Sequence, residues 1–325
     1  MVDVIIPAYN AMQTLERAVT SALMQGNCRV LLIDDGSTDG TARLCDEYQH
    51  HPLISVLHQP NRGVSAARNA GLRAATAEWV LFLDADDVLL PDAVAKLLEL
   101  VGSAQAIQGI VTRTEAPDVP ACTVETLPAR TMLERALWQP TVHLHTHGWL
   151  LRRTICNQRF NETLRLGEDG EWMMRVLRGV ETAALARVNT YCYHVRADSA
   201  VHGGADVQAY LRTLTAAQET LDALAMPEAA AAYRLTHLLL MLTHGVVRRG
   251  NLREAARQCA AIRRLCRGEF RADLRRVRGL PRTPAQAVWL LMRLRCYPLV
   301  RRAVRVRQGQ GLRACRRETE RTDEK

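Results

Sequence analysis

The sequence is poor in lysine and in paired cysteines. Only Lys96 and Lys325 are lysines among the 43 basic residues, so arginine carries almost all of the positive charge. The nine cysteines are odd in number and contain no C-x-x-C pair. This pattern argues against a disulfide framework or a cysteine zinc site and favours reduced thiols.

The sequence also lacks long apolar runs. The longest, such as residues 287–292, fall far short of the ~20 residues that a transmembrane helix needs. The first residues, Met1, Val2 and Asp3, carry no basic segment ahead of an apolar one. We therefore expect no signal peptide and no membrane span. A cytoplasmic protein, which meets the cytoplasmic face of the inner membrane at most as a peripheral protein, fits these absences.

Charge is distributed unevenly along the chain. Residues 241–325 hold 23 Lys and Arg against 7 Asp and Glu, whereas residues 1–240 hold 20 against 27. A basic tail on a mildly acidic body suggests an anionic partner. An Arg-rich helix with apolar residues, expected at 284–305, suits an anionic membrane surface, with a solvated tail as the alternative. The tail lacks the interleaved aromatic residues of nucleic-acid sites, so we do not expect nucleic acid as a partner.

The first hundred residues alternate between short apolar runs and segments of helical spacing. The runs predict strands at 2–6, 29–33, 54–57 and 79–83, and the segments predict helices at 11–24, 38–48, 64–75 and 91–100. Apolar strands that alternate with helices predict an α/β fold with a mostly parallel central sheet covered on both faces.

Beyond residue 102 the alternation loosens, and prolines at 117–120 and at 128 indicate loops. We expect strands near 142–151 and 183–193 and a helix near 169–177. From residue 206 onward only helices are predicted, near 206–225, 228–248, 252–267 and 284–305. The chain thus divides into segments 1–102, 103–205 and 206–325.

Polar side chains follow three of the predicted strands. The first strand leads into Tyr9, the second into Asp35, and the fourth into Asp84, Asp86 and Asp87. Ligands of open α/β sheets bind at these carboxyl ends. Tyr9 offers a flat surface for a base, and Asp35 can accept hydrogen bonds from a base or a ribose. The three crowded carboxylates call for a cation, and oxygen ligands favour magnesium or manganese.

A helix that begins with GVSAARNAGL carries Arg68, whose planar guanidinium suits the oxygens of a diphosphate. With VIIPAYN, IDDGSTDGT and FLDADD, in that chain order, this segment resembles the nucleotide-binding half of glycosyltransferase family 2. The later segments GWLLRR, GEDGEW and YCYHVR are similar to motifs of the same family, so the resemblance covers roughly residues 1–205. It implies the GT-A fold, with a nucleotide-sugar-binding half at 1–102 and an acceptor-binding half at 103–205. The basic helical region at 206–325 lies outside the resemblance.

The resemblance also implies a donor site for a nucleotide sugar, most often a UDP-sugar in this family. Tyr9 would stack on the base, and Asp35 would bond the base or the ribose. A divalent cation, Mn²⁺ or Mg²⁺, would bind Asp86 with help from Asp84 and Asp87. The complete set expected to bind the nucleotide sugar is Pro7, Ala8, Tyr9, Asp35, Arg68, Asp84, Asp86, His194 and Arg196.

The implied reaction is a single inverting displacement. Asp169 would be the general base that takes a proton from an acceptor hydroxyl, and Glu168 would position the acceptor or the base. His194 or Arg196 would close over the diphosphate. Without a predicted membrane span, a saccharide or lipid-linked saccharide at the cell surface is the expected acceptor, and the enzyme would be of the hexosyltransferase type.

Three other interpretations stay open at the sequence level. FLDADDV fits the signature of haloacid-dehalogenase-type phosphatases, with Asp84 as nucleophile, although that signature normally lies on the first strand. A sugar nucleotidylyltransferase would need a glycine-rich loop after strand one, which PAYNAMQTL is not. The chain could also bind a nucleotide sugar without catalysis.

His143, His145 and His147 alternate and would share one face of a strand, either at a transition metal or lining the acceptor cleft.

Overall fold

The computed structural model describes residues 1–117, 122–138, 144–194 and 207–241. The chain divides into two compact units, Met1–Arg196 and Ala197–Lys325. The helices expected at 252–267 and 284–305 lie outside the described residues. The three segments predicted from the sequence stay a prediction.

The described part of the first unit contains nine strands, and the described helices are distributed over both units. The strands are β1 (Val2–Ala8), β2 (Cys28–Asp34), β3 (Ile54–His58), β4 (Trp79–Phe82), β5 (Val88–Leu89), β6 (Ala106–Thr112), β7 (Val124–Pro128), β8 (Trp149–Arg152) and β9 (Thr182–Cys192). The helices are α1 (Leu15–Leu23), α2 (Thr41–Tyr48), α3 (Val64–Ala74), α4 (Ala93–Leu100), α5 (Ala129–Trp138), α6 (Glu168–Arg178), α7 (Val207–Ala223) and α8 (Pro227–Met241).

The described strands form one mixed sheet in the order β3-β2-β1-β4-β8-β6-β9-β5, with β7 paired to β9. Strands β3, β2, β1 and β4 are parallel, as is the β6–β9 pair. The pairs β4–β8, β6–β8, β5–β9 and β7–β9 are antiparallel. The predicted α/β class is therefore confirmed, and the parallel β1–β4 part brings the ends of β1, β2 and β4 to one edge.

The core follows from the apolar strands. All seven residues of β1 are buried, so helices must cover both faces of the sheet. Helix α3 approaches β1 so closely that a methyl group at Gly71 would overlap the Ile5 side chain. Gly71 therefore fixes the position of α3 against the sheet.

The sequence missed β5, β6, β7 and α5 and misplaced two features. Pro128 was expected in a loop but ends β7. Within the described residues, the strand expected at 142–151 is present only as β8, because residues 145–148 form bends and a turn and Gly148 adopts a left-handed φ of 73°. His145 and His147 therefore do not share a strand face, and His143 lies outside the described residues.

In the second unit, α7 and α8 pack against each other. Ala225, at a left-handed φ of 49°, makes the turn between them, and Pro227 begins α8. Proline is favoured at a first helical position because its missing N–H would have no partner there. Among the helices of the described ranges, none combines the length and the apolar character that a bilayer crossing requires.

A buried carboxylate ties β1 to the segment before β4. Asp3 is fully buried and accepts hydrogen bonds from Arg29 Nε at 2.9 Å and Nη2 at 3.0 Å. The backbone N–H groups of Thr76 and Ala77 donate to Asp3 Oδ2 at 2.6 and 2.8 Å. Because these donors lie on β2 and on the α3–β4 connection, one side chain holds three elements in register.

We predict that Asp3→Asn lowers the free energy of unfolding by on the order of 3 kcal/mol, because it leaves Arg29 and two backbone donors without their anionic partner. Urea denaturation, monitored by tryptophan fluorescence, measures this loss. Glu99→Gln, on the exposed side of α4, is the matched control and should change the value by less than about 0.5 kcal/mol. Equal effects of the two variants would contradict the anchoring role.

Candidate active site

Tyr9 lies just past β1 with 50% of its surface exposed. Asn10, at a φ of 50°, links this end of β1 to the segment after β2: its Oδ1 accepts the Thr38 N–H at 2.8 Å, and its N–H donates to Ser37 Oγ at 3.1 Å. The Tyr9 ring is thus accessible on a fixed backbone, as a surface for a base requires. Pro7 and Ala8 are buried inside β1, and their part in donor binding stays a prediction.

Asp35, at the end of β2, holds the loop before α3. Its Oδ1 accepts hydrogen bonds from Gln59 Nε2 at 2.7 Å and from the Arg62 N–H at 3.0 Å, and its Oδ2 accepts the Gly63 N–H at 2.7 Å. Gly63 has a φ of 92°, which a residue with a side chain rarely adopts. A carboxylate offers about four acceptor positions, so these three contacts leave one unused, but Asp35 is only 3% exposed, and its bond to a base or ribose stays a prediction.

Arg68 is buried within α3, with 3% of its surface exposed. One terminal nitrogen lies 3.0 Å from Asp84 Oδ1 and the other lies 2.9 Å from Glu168 Oε1. Its guanidinium also lies 5.5 Å from the centre of the Phe160 ring. Arg68 therefore joins a carboxylate after β4 to a carboxylate at the start of α6. Its predicted contact with a diphosphate stays a prediction.

Two carboxylates and one imidazole come together after β4. One ligand atom from each of Asp84, Asp87 and His147 lies within 4.8 Å of the others. His147 Nε2 is 2.9 Å from Asp84 Oδ2, and the Tyr191 hydroxyl donates to Asp87 Oδ2 at 2.7 Å. Asp86 is outside this group of three, and its predicted role as a metal ligand stays a prediction.

The charges at this cluster suit a cation. Burial and the neighbouring Asp84 carboxylate raise the pKa of Asp87 to about 7. Burial opposes ionisation of Asp84 too, but Arg68 and His147 hold the pKa of Asp84 below its usual range. A divalent cation would relieve the repulsion from Asp84 that helps to raise the pKa of Asp87, so this donor set fits the predicted metal.

Asp169 and Glu168 begin α6 and lie in different electrostatic surroundings. Burial opposes ionisation of Asp169, yet His145 Nδ1, 2.9 Å from Asp169 Oδ2, lowers the pKa of that carboxyl below its usual range. Burial and Asp169 raise the pKa of Glu168 despite its pairing with Arg68. Asp169 is therefore the carboxyl of the two whose pKa is lowered, and the carboxylate is the form that a base requires.

His194 follows β9 and caps the acidic cluster. Its backbone N–H donates to Asp87 Oδ1 at 2.8 Å, and its Nε2 lies 2.9 Å from Glu115 Oε1. It is thus beside the cluster, although a contact with a diphosphate stays a prediction. Arg196, predicted together with it, lies outside the described residues.

Sequence reasoning missed the roles of His145, His147 and Tyr191. The alternating histidines were noticed as a possible metal site of their own, but two of them instead bind carboxylates from distant segments. The His147 ring also stacks on Tyr191 at 5.0 Å between ring centres. The nearest signal in the sequence was that His145 and His147 precede the family-like segment GWLLRR and that Tyr191 begins the segment YCYHVR.

Comparison with known proteins agrees with this geometry. Residues 3–160 match the family described as Glycosyl transferase family 2. The chain is 28% identical over 214 residues to the uncharacterized glycosyltransferase EpsJ of Bacillus subtilis and 29% identical over 221 residues to the succinoglycan biosynthesis protein ExoO of Rhizobium meliloti. In each case the match covers 61% of this chain and 62% of the relative, so the chain spans under two thirds of these relatives.

Among solved structures, residues 1–349 of TarS from S. aureus in complex with UDP-GlcNAc superpose with a TM-score of 0.70 at 18% identity. The superposition covers 95% of this chain and 92% of the TarS chain. The likeness shows that the chain has the predicted GT-A fold.

We predict that Arg68→Met lowers the free energy of unfolding by about 3–5 kcal/mol, because Asp84 and Glu168 lose the cation between them in a buried setting. Arg68→Lys should recover only part of the loss, since one ammonium cannot reproduce two forked contacts. Chemical denaturation at neutral pH measures both variants.

Arg43→Met is the matched control, because the Arg43 side chain is 88% exposed and its surface pair with Glu47 contributes little. If Arg68→Met were no more destabilising than this control, Arg68 would not be the link between the two carboxylates.

Proposed function

We propose that this chain, whose residues 3–160 match glycosyltransferase family 2, transfers a sugar from a UDP-sugar to an acceptor hydroxyl with inversion at the anomeric carbon. One observation carries this proposal. Arg68 joins Asp84 of the acidic cluster to Glu168, the residue beside Asp169 at the start of α6. A candidate base and a candidate metal site therefore belong to one connected site.

The donor proposal rests on Tyr9 and Asp35. An exposed aromatic ring and a carboxylate with a remaining acceptor position, at the ends of neighbouring parallel strands, suit a base and a ribose. TarS, which shares the fold, was solved with UDP-GlcNAc. UDP-GlcNAc is therefore the first donor to test, before other UDP-, GDP- and dTDP-sugars.

A divalent cation would be held by Asp84 and Asp87 with His147, and by Asp86 as the sequence predicts. When bound, the metal would act as a Lewis acid that stabilises the leaving diphosphate. An imidazole among the ligands departs from the all-oxygen set that Mg²⁺ prefers, so Mn²⁺ is the favoured ion. Arg68 and His147 both contact Asp84 and hold its carboxylate for this role.

Asp169 would accept the proton of the acceptor hydroxyl, and that oxygen would form the new bond to the anomeric carbon as the bond to the diphosphate breaks. Attack from the side opposite the diphosphate inverts the configuration. Glu168, which Arg68 holds through Oε1, would position the acceptor or Asp169. Removing a positioned base of this kind costs about 10²–10⁴-fold in rate.

For the acceptor, we propose a saccharide or lipid-linked saccharide of a cell-surface polysaccharide. A relative named for succinoglycan biosynthesis supports this class. The basic region at 241–325 would bind the anionic inner membrane at its cytoplasmic face, where a lipid-linked acceptor would lie.

The rival functions are less well supported. Asp84 is 3.0 Å from Arg68 and 2.9 Å from His147 and follows the fourth strand, which does not suit the nucleophile of a haloacid-dehalogenase-type phosphatase. A binding protein without catalysis would have no use for Asp169, which His145 holds at the start of α6.

We expect the purified protein with Mn²⁺ to release UDP from one UDP-sugar, and to do so faster once a fitting oligosaccharide acceptor is added. Asp169→Asn should lower the rate of transfer by about 10²–10⁴-fold, since the amide cannot take the proton. A chelator should abolish transfer, and Asp87→Asn should weaken the response to Mn²⁺. Coupled detection of the nucleoside diphosphate follows all of these reactions.

Asp222→Asn, on the exposed face of α7, is the matched control and should keep the wild-type rate. Donor binding measured by calorimetry should survive in Asp169→Asn, which separates a lost base from a lost fold. Binding of a donor without transfer to any acceptor in a broad panel would favour the non-catalytic reading. Metal-independent transfer would reject the metal but not the base.

Membrane binding is testable on its own. The full chain should sediment with vesicles containing anionic phosphatidylglycerol, and salt should weaken the binding, because basic residues near such a surface contribute about 1 kcal/mol each. Deletion of residues 270–325 should abolish sedimentation, and neutral phosphatidylcholine vesicles are the control. Unchanged sedimentation of the truncated chain would contradict the proposal.

A further inference from the structure

The short loop before β8 carries His145 to the candidate base. Its Nδ1 lies 2.9 Å from Asp169 Oδ2, although 24 residues separate the two along the chain. His145 is not part of the segments that resemble the family. The histidine side of the contact therefore lies outside the segments that resemble the family.

The loop is fixed on both sides of His145. Thr146 is fully buried, and the Gly148 carbonyl accepts the Gly109 N–H at 2.9 Å. On the other side, Leu144 lies next to Gly170, the residue that follows Asp169: a Cβ at position 170 would be 3.8 Å from Leu144 Cβ. The ring of His145 is thus carried by backbone packed onto the first turn of α6.

Asp169 has a partner on each oxygen. Oδ2 faces His145, and Oδ1 accepts the Gly170 N–H at 2.7 Å. The bond to Gly170 involves the neighbouring residue and restrains the carboxylate only locally. His145 supplies the second, tertiary restraint, so it fixes the rotation of the carboxylate about its last torsion.

Glu168, the carboxylate next to Asp169, has a different partner. Glu168 is bound by the buried Arg68 from α3, whereas Asp169 is bound by His145, whose side chain is 63% exposed. The exposed His145 ring stacks on His147, 6.0 Å away between ring centres, and its Nδ1 faces the Asp169 carboxylate.

We propose that His145 is a positioning residue for sugar transfer, holding Asp169 through Nδ1 in the orientation from which it takes the acceptor proton. The inference rests on the proposed function, because it assigns a helper to the proposed base. A base that is misplaced by about 1 Å can lose ~10²-fold in rate without any loss of donor binding.

The two ring nitrogens of histidine allow a sharp test. The side-chain amide of asparagine reaches the position of Nδ1, whereas that of glutamine reaches the position of Nε2. We expect His145→Ala and His145→Gln to lower kcat by about 10–100-fold with the KM for the donor unchanged. His145→Asn should restore kcat to within a few-fold of wild type.

His50→Ala, at an exposed histidine after α2, is the matched control and should leave kcat and the melting temperature unchanged. The melting temperature of the His145 variants should also stay near that of the wild type. Equal kcat for Asn, Gln and Ala at position 145, whether all normal or all low, would overturn the positioning role.

A second measurement does not depend on activity. In protein with ¹⁵N-labelled histidine, the His145 Nδ1 resonance should shift in Asp169→Asn and stay in place in Asp222→Asn. If the wild type transfers sugar but the position-145 variants all match it, the present inference fails and the proposed function stands. If no transfer is found at all, the proposed function fails, and an unshifted Nδ1 resonance would show that His145 does not hold Asp169 either.

Discussion

The site depends on one buried cation shared between two carboxylates. Arg68 forms ion pairs with Asp84, which follows β4, and with Glu168, which begins α6. These two segments are far apart along the chain. Neither carboxylate could stay ionised in such a buried position without a partner, because burial alone raises the pKa of both. The arginine thus allows acidic groups to gather at this edge of the sheet, and it ties the segment after β4 to the start of α6.

The parallel half of the sheet and its strand-end residues were predictable because the information is local. Apolar runs, helix spacing and the acidic turns after β2 and β4 all lie within single segments of the first hundred residues. Even there the sequence placed the starts of α1 and α2 three or four residues early. The reason is tertiary: Ser37 and Thr38 bond to Asn10, and the Ala11 N–H bonds to Thr41, so these residues join the two loops before either helix begins.

The rest could not be read from local patterns. His145, His147 and Tyr191 acquire their roles from partners 24, 63 and 104 residues away. The alternation of the histidines predicted a strand. Gly148, at a left-handed φ, instead turns the chain, and the two histidines contact different carboxylates. Strand β6 was missed because prolines and a looser pattern around it gave no clear period, and its pairing with β8 and β9 arises only in the folded sheet.

Gly71 lies three residues beyond Arg68 on α3, where the helix touches Ile5 of β1. A helix seated at a point of zero clearance has no freedom to slide along the strand or to move away from it. The absence of a side chain at position 71 therefore sets the distance between α3 and β1. That distance decides how far the Arg68 guanidinium reaches toward the strand ends. A methyl group added at position 71 would therefore displace Arg68 relative to the acidic cluster, although the methyl group would touch no residue of the cluster.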